Sequence, residues 1–421
     1  MSAQRRSLHH KDALYSPYTR KTSRKPKLEH VDRPLFDSDQ TFAPFIDCSS
    51  SHLPHTKSIR ADGLGHTQRL LFKNIKIGAN EISTLLDKAV LDLLPIDHFS
   101  SPLTLSSEAI EFRSTNSSRG VGAFSVCPIP SATLIHVEYP VTVVQNTLVL
   151  LDLSSSEVYR ELFRRVPQRL LPALMSLCNS QPASSKLDPE EAILRTNAIG
   201  ISLPLPKSFG ADSTGHNAVF LQASRFNHSC APNATARFDP ESFTLTVHAL
   251  RPIKKGEELF ISYIDLTSPS MATRDTRRAE LLHLYHFSCC CAICSLSDVS
   301  ESDTRRLRIN QTSQSDIFAP FSAWYSNPNR TRQGLDSVMT FYLKATNDMA
   351  KEGLVYRFRY YLHLILLAGC YAAIKDTRNF RSWLGKARDV ANSSYLASKE
   401  AEKLFHYIMN PTTFPAWGRA T

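Results

Sequence analysis

The 421-residue chain has no apolar run long enough to span a bilayer. Its longest, "LHLILLAGCYAAI" from Leu362 to Ile374, falls short of the roughly 20 residues a span needs and carries His363, so a buried helix is expected there. The N-terminus offers no charged segment leading into an apolar run and a small-residue cleavage site. A secretory signal is therefore not expected, and a nuclear or cytoplasmic setting is. In such a reducing compartment an odd set of nine cysteines does not suggest a disulfide framework, which leaves metal ligation or buried thiols. Paired finger spacing and a basic recognition helix are missing too, so a zinc-stapled nucleic-acid module is supported only by charge and cysteines. No repeat is clean enough to name a repeat class.

What is present is the composition of a soluble globular protein, 42% hydrophobic and 21% charged, with length for two or three cores. The formal net charge of +10 favours an acidic partner without giving a site. Nine Lys or Arg against three acids fill the first 35 residues, from Arg5 and Arg6 to Lys27 and Arg33. Such a segment buries too little to offset chain entropy, so residues 1–65 are expected as a disordered basic tail. It is a nuclear-import arm, an arm making weak nucleic-acid contact, or simply a solvated tail. "NEISTLLDKAVLDLL", Asn80 to Leu94, spaces Ile82, Leu85, Leu86, Val90, Leu93 and Leu94 helically and predicts an amphipathic helix in a helical lead-in over 66–107.

From Ile110 the texture changes to short strands: "GVGAFSV", "TLIHVEYPVTVV", "ATARFD", "FTLTVHAL" and "LFISYI" alternate or run β-branched and aromatic. A helical stretch at about 148–195 interrupts them, and beyond about Ser302 long amphipathic stretches predict a bundle or short solenoid. "FSCCCAICS" offers Cys289, Cys290, Cys291 and Cys294 within six positions. Adjacent side chains diverge along an extended chain, so Cys289, Cys291 and Cys294 form the plausible ligand trio, with a fourth ligand from elsewhere. Cys230, in "SRFNHSCAPNATARF", is the best candidate, and closing that long loop with metal would remove chain entropy. Buried thiols are the alternative. Cys48, Cys127, Cys178 and Cys370 stand alone and read as core or linker residues.

Five stretches, "RGVGAFSVCPIPSATLIHVEYP", "TNAIGI", "SRFNHSCAPNA", "IKKGEELFISYID" and "RRAELLHLYHFSCCCAIC", follow one another in an order that resembles a SET-domain protein lysine methyltransferase. The resemblance covers residues 108 to 295 closely and the helical remainder by texture only. It is to the split branch with a helical insert and a cysteine-rich post-SET tail; no second cysteine and histidine cluster marks a MYND finger in the insert. It implies an α+β fold: small SET-type sheets with a knot-like crossing over 108–275, a zinc-bound post-SET tail over 276–300, and a C-terminal helical domain over 301–421. It also implies S-adenosylmethionine as cofactor, a structural zinc ion, and a protein substrate with a target lysine, histone tails among the candidates.

By the same resemblance, Gly120 and Gly122 are where backbone nears the cofactor, and a missing Cβ is the physical reason. Asn197 sits beside the cofactor's amino-acid end, Asn227 and His228 hydrogen-bond its methionine and adenine portions, and Phe287 covers the adenine. Tyr263 is the catalytic tyrosine and Tyr285 lines the lysine channel. Ser131 and Ala132 depart from the family pattern, replacing a glycine-containing turn, and Cys290 is extra to the zinc pattern. A catalytically silent SET-like scaffold mediating protein interactions is the competing expectation; retention of Asn227, His228 and Tyr263 in one chain argues for activity.

Overall fold

The computed structural model describes residues 70–105, 108–115, 119–145, 155–204, 215–393 and 398–420. The basic tail over 1–65 lies outside the described residues, as does Cys48. Twelve strands are described: β1 (Leu70–Ile77), β2 (Asn80–Asp87), β3 (Ile110–Ser114), β4 (Val121–Ser125), β5 (Leu134–Glu138), β6 (Thr142–Gln145), β7 (Ile199–Ile201), β8 (His216–Val219), β9 (Asn227–His228), β10 (Ala234–Asp239), β11 (Thr244–Ala249) and β12 (Glu258–Ile261). They form a five-stranded sheet ordered β1-β2-β6-β8-β7, a three-stranded sheet β10-β11-β5 and a four-stranded sheet β3-β4-β12-β9. All neighbours are antiparallel except β2 with β6 and β12 with β9.

The helix expected over Asn80–Leu94, and with it a helical lead-in, is corrected by the structure. β1 and β2 make a hairpin whose register runs from Leu70↔Asp87 to Ile77↔Asn80, turned by Gly78 at φ +57 and Ala79. Only a single helical turn follows, α1 (Lys88–Leu91), capped by the Asp87 carboxylate accepting from the Ala89 N–H at 2.8 Å. The physical reason is burial on both faces. Ile82 and Leu86 enter one core with Val143, Phe220 and Phe243, while Leu85 enters another with Val144 and Val219. Ser83 and Thr84 are buried as well. A strand covered on both sides needs no alternation, so the apolar spacing of its residues does not report its geometry.

The second of those cores is closed by the helical insert, α2 (Ser155–Arg164), α3 (Leu171–Met175) and α4 (Pro189–Asn197), through Val158, Leu162, Phe163 and Ile193. α5 (Arg274–Tyr285) starts at a Thr273 cap and ends on His286 at φ 58, a left-handed stop that folds the cysteine segment back toward the sheets. α6 (Ser300–Gln311), α7 (Gln314–Ser326), α8 (Arg332–Lys351), α9 (Phe358–Ala373), α10 (Thr377–Ser393) and α11 (Ser398–Met409) follow. α9 carries the long apolar run and is buried nearly throughout from Tyr361 to Ala373, packed by α7, α8 and α10. At the departure noted in the β4–β5 connection, Ala132 adopts φ 61, the left-handed region glycine would enter without strain, and its N–H donates to the Ala249 carbonyl at 2.8 Å.

Candidate functional site

The crowded Asn-His-Ser-Cys segment is explained by one strand. β9 runs parallel to β12 with Asn227 opposite Phe260 and His228 opposite Ile261, and the Ser229 N–H donates to the Ile261 carbonyl at 3.0 Å. Asn233 fastens the far end: its Nδ2 donates to the Glu258 carbonyl at 2.9 Å and its Oδ1 accepts from the Phe260 N–H at 2.7 Å. Two short stretches of chain are thereby clamped side by side, and β12 delivers Tyr263 next to His228. Asn233 lies within the segment that carries the resemblance, but the sequence alone assigns it no role. Its side chain takes the place of strand pairing where β9 has ended.

Tyr263, Tyr285, Phe287 and His228 make an aromatic cluster, with ring centroids 5.1 Å apart for Tyr263–Tyr285, 5.4 Å for His228–Tyr263 and 6.2 Å for His228–Phe287. The Tyr263 hydroxyl donates to the Phe226 carbonyl at 2.7 Å, and the Tyr285 hydroxyl to the Tyr263 carbonyl at 3.4 Å. His228 is buried, and burial pushes its pKa down to about 4, so the ring is neutral near pH 7 and carries one N–H. Its Nδ1 faces the backbone N–H of Tyr263 at 3.0 Å and must accept. The proton therefore sits on Nε2, 3.3 Å from Cys230 Sγ, and is donated to that sulfur.

The four cysteines of the expected set meet. The Sγ atoms of Cys230, Cys289, Cys291 and Cys294 all lie within 4.8 Å of one another, with 3.9 Å from Cys230 to Cys289 and 3.6 Å from Cys294 to Cys230. A tetrahedral zinc with bonds of about 2.3 Å has sulfur–sulfur edges of about 3.8 Å, so the donor set fits zinc in kind, number and spacing. Among the described residues this is the one group of metal-ligating side chains close enough to share an ion. Cys290 points outward and is exposed. Without a shared cation the thiols oppose one another's ionisation: hydrogen bonding with Cys289, then the other sulfurs and burial, holds Cys230 well above its ordinary value, whereas donation from Cys230 and the others pulls Cys291 down.

Arginines wrap the cluster. Arg278 donates to the Cys289 carbonyl at 3.0 Å and the Cys294 carbonyl at 2.9 Å, and Arg306 donates to the Cys230 carbonyl at 2.8 Å. Arg277 is fully buried; its Nη1 is bonded to the Ala272 carbonyl, while Nε and Nη2 have no hydrogen-bond partner. The negative groups acting on it are Cys230, Cys294 and Asp303. A buried guanidinium with orphaned donors beside four sulfurs is what a doubly negative metal–tetrathiolate centre would compensate.

On the other side of Asn227 lies an acidic residue that sequence reading passed over. Glu258 is buried and takes Asn227 Nδ2 at 2.9 Å on one oxygen and Arg119 Nη2 at 2.9 Å on the other. The Asn227 amide also donates to the Val121 carbonyl at 3.3 Å, so both its hydrogens are spent and Oδ1 is what it offers a ligand. The signal for Glu258 was available: a carboxylate entering a strand that is otherwise apolar needs a cation, and Arg119 stands just before the glycine pair. The two glycines differ in kind. Gly120 has φ +71 and open space beside it, which suits a ligand cradle. At Gly122 a Cβ would lie 2.6 Å from Glu258 Oε1 and 3.0 Å from Asn227 Nδ2, so the chain itself demands glycine there. Asn197 turns its Nδ2 onto the Cys178 and Ile193 carbonyls at 2.6 and 2.8 Å, and its own carbonyl accepts from Ser224 Oγ at 2.8 Å, tying α4 to the start of the Asn-His segment.

Comparison with known proteins gives this arrangement a family. A SET domain model matches residues 120–264. The chain is 29% identical over 180 residues to histone-lysine N-methyltransferase set5 of Schizosaccharomyces pombe, covering 43% of this chain and 49% of that protein. It is 40% identical over 101 residues to a SET and MYND domain-containing protein of Dictyostelium discoideum, covering 24% and 23%. With protein-lysine N-trimethyltransferase SMYD5 of Mus musculus it shares 41% identity over 78 residues, 18% of each chain. The matched region thus spans about half the length of the first of these relatives and a quarter or less of the other two. The parallel β9–β12 pair, the small mixed sheets and a cysteine cluster just C-terminal to the match accompany the region, residues 120–264, that matches the SET domain, and the relatives it resembles include proteins named as lysine methyltransferases.

Proposed function

We propose that the protein is an S-adenosylmethionine-dependent protein-lysine N-methyltransferase, with histone tails as its substrate class and a structural zinc ion. The observation that carries the reading is the position of Tyr263: its hydroxyl is anchored on the Phe226 carbonyl, one residue before Asn227, inside the aromatic cluster with Tyr285 and Phe287. The cofactor supplies, when bound, an electrophilic methyl group on a sulfonium sulfur. Gly120 gives it open space, Asn227 Oδ1 accepts from an ammonium such as the one on its methionine portion, and Phe287, beside His228 in the aromatic cluster, would supply apolar cover. Both nitrogens of the His228 ring are committed inside the protein, so any contact from this residue falls to its main chain.

Tyr263 and Tyr285 act on the substrate. A free lysine has a pKa of about 10.4 and arrives as ammonium; aromatic walls that exclude water disfavour the charged form and release the proton to solvent. The Tyr263 hydroxyl with the Phe226 carbonyl would hold the neutral amine in line with the methyl group that the bound cofactor would supply. Orientation of this kind lowers barriers by several kcal/mol, on the order of 7–11 in favourable intramolecular cases. Four thiolates leave zinc no open position, so its role is structural. Nuclear and cytoplasmic compartments, where thiols stay reduced, suit such a centre.

The test compares two variants. Tyr263→Phe is expected to depress methyl transfer while leaving calorimetric cofactor affinity nearly unchanged, the pattern of an interaction made in the transition state. Asn227→Ala is expected to weaken cofactor binding first. Full turnover by Tyr263→Phe on a methylated substrate would remove that residue from the mechanism.

A further inference from the structure

Both nitrogens of His228 are accounted for, and neither faces a ligand. Nδ1 accepts from the Tyr263 N–H at 3.0 Å and the Nε2 proton is donated to Cys230 Sγ at 3.3 Å. The ring is buried and gripped between Tyr263 and Phe287 at centroid distances of 5.4 and 6.2 Å. Because an imidazole is rigid, the two contacts are coupled: the sulfur that holds the proton fixes the tautomer, and the tautomer fixes which nitrogen can take the tyrosine's backbone. We propose that His228 is a positioning residue, a strut that transmits occupancy of the metal cage to the backbone of Tyr263. The inference rests on the reading that Cys230, Cys289, Cys291 and Cys294 hold zinc.

The chemistry favours the metal-loaded form. A zinc-bound thiolate is a better acceptor than a thiol, so with metal in place the Nε2–H bond to Cys230 strengthens and Nδ1 is held as a lone pair. When the metal leaves, Cys230 Sγ is no longer held in place by a shared ion, so the 3.3 Å contact with Nε2 loses its fixed acceptor. With that contact loosened the rigid ring is no longer pinned at one end, and the acceptor that Nδ1 offers the Tyr263 N–H at 3.0 Å is less firmly placed. The strut thus gives a structural ion a route to the reacting end of the site through one ring, independent of any shift in the cysteine-rich segment itself.

The experiment uses the full chain in three forms: wild type, His228→Phe, which keeps an aromatic ring without nitrogens, and His228→Gln, whose amide can both donate and accept. Zinc per chain is measured first by elemental analysis. About one is expected; a wild-type protein that takes up none overturns the zinc reading and the strut together. With zinc present, the rate of its transfer to a chromogenic chelator and the cobalt-substituted sulfur-to-metal charge-transfer band are compared. Loss of an outer hydrogen bond typically costs 10–100-fold in metal affinity, so His228→Phe should release zinc about tenfold faster and shift the band, with His228→Gln recovering part of both. Equal release rates and an unmoved band in His228→Phe would overturn the strut while leaving zinc in place. Should His228→Phe fail to fold, amide exchange of the wild type decides: removing zinc should deprotect the Tyr263 amide while that of Tyr342, in the helical core, is unchanged. A Tyr263 amide equally protected with and without zinc refutes the proposal.

Discussion

Replacing Gly353 by alanine should disturb the Cys230–Ala231 loop, which it touches from the helical region. Gly353 follows α8 at φ +69, and a Cβ there would lie 2.6 Å from Ala231 Cβ, 2.8 Å from Ala231 Cα and 3.2 Å from its carbonyl carbon. Carbon atoms pack at about 3.5–4.0 Å, so the loop must move by roughly 1 Å. Left-handed backbone costs a residue with a Cβ about 1–2 kcal/mol, offset by about 0.4–1 kcal/mol from the stiffer unfolded chain. Overpacking adds about 1–3 kcal/mol, for a net destabilisation of about 1–5 kcal/mol. Gly78→Ala is the control, because Gly78 has φ +57 and nothing within 4 Å, which leaves only a backbone cost of about 0–1.5 kcal/mol. Urea unfolding followed by circular dichroism gives both values, and zinc transfer to a chelator reports the loop. Adding Ala231→Gly to Gly353→Ala should recover part of the loss, since it removes the clash with the Ala231 methyl group and leaves the clash with the Ala231 backbone. Equal destabilisation by the two single variants, or no change in zinc release for Gly353→Ala, would refute the steric argument.

Acid should destabilise the fold through its buried histidines. Burial holds His363 down to about 4 from 6.5, so the unfolded chain takes up the proton first as pH falls: this stability is complete above about pH 6.5 and drains toward pH 4. The shift is worth about 3 kcal/mol at its lower end, and His363→Phe, measured by urea unfolding at several pH values, should flatten the profile; an unchanged slope would contradict the assignment. Ala132→Gly should be neutral to stabilising by up to about 1 kcal/mol, because relief of the left-handed strain outweighs or balances the added freedom of the unfolded chain. A loss of more than about 1 kcal/mol in thermal unfolding would show that the Ala132 side chain packs in a way its backbone does not reveal.

What the sequence made legible was the part of the site that depends on contiguous residues. The Cys-x-Cys-x-x-Cys trio and Cys230 do meet, because ligand spacing is a local geometric constraint and metal ligands are few in kind. The aromatic cluster was legible for a different reason: Tyr263 and Phe287 stand at fixed distances from recognisable motifs. Asn80–Asp87 misled because three apolar residues at helical spacing do not reveal that serine and threonine between them are buried too. Glu258 and Asn233 escaped notice for another reason, since each acts on backbone or side chains brought beside it by the sheet. The role of the His228 ring was hidden most deeply. A histidine in a motif reads as a ligand for something bound, and only the positions of its two nitrogens reveal that both are taken internally.

The boundary near residue 301, where strand texture gives way to helices, separates two kinds of sequence but not two independent bodies of contacts. Arg306, in α6, reaches Glu352 Oε2 at 2.7 Å and the Glu352 carbonyl at 2.7 Å with the same side chain that holds the Cys230 carbonyl. Glu352 is fully buried, and Ser302 and Arg305 supply its remaining bonds at 2.7 and 2.8 Å. A buried ion pair of this kind is a weak source of stability, because desolvation cancels most of its attraction. Its value lies in direction: the carboxylate fixes the guanidinium, and the guanidinium fixes the loop. The next residue, Gly353, lets the backbone close against Ala231, while Ile309, Met349 and Leu354 join Cys230, Leu281 and Tyr285 in one core. Polar, steric and apolar contacts therefore converge on the Cys230–Ala231 loop from α6 and the end of α8. Helices that share a core with the cysteine cluster and Tyr285 cannot shift without moving them, which makes this part of the C-terminal region a wall of the candidate site.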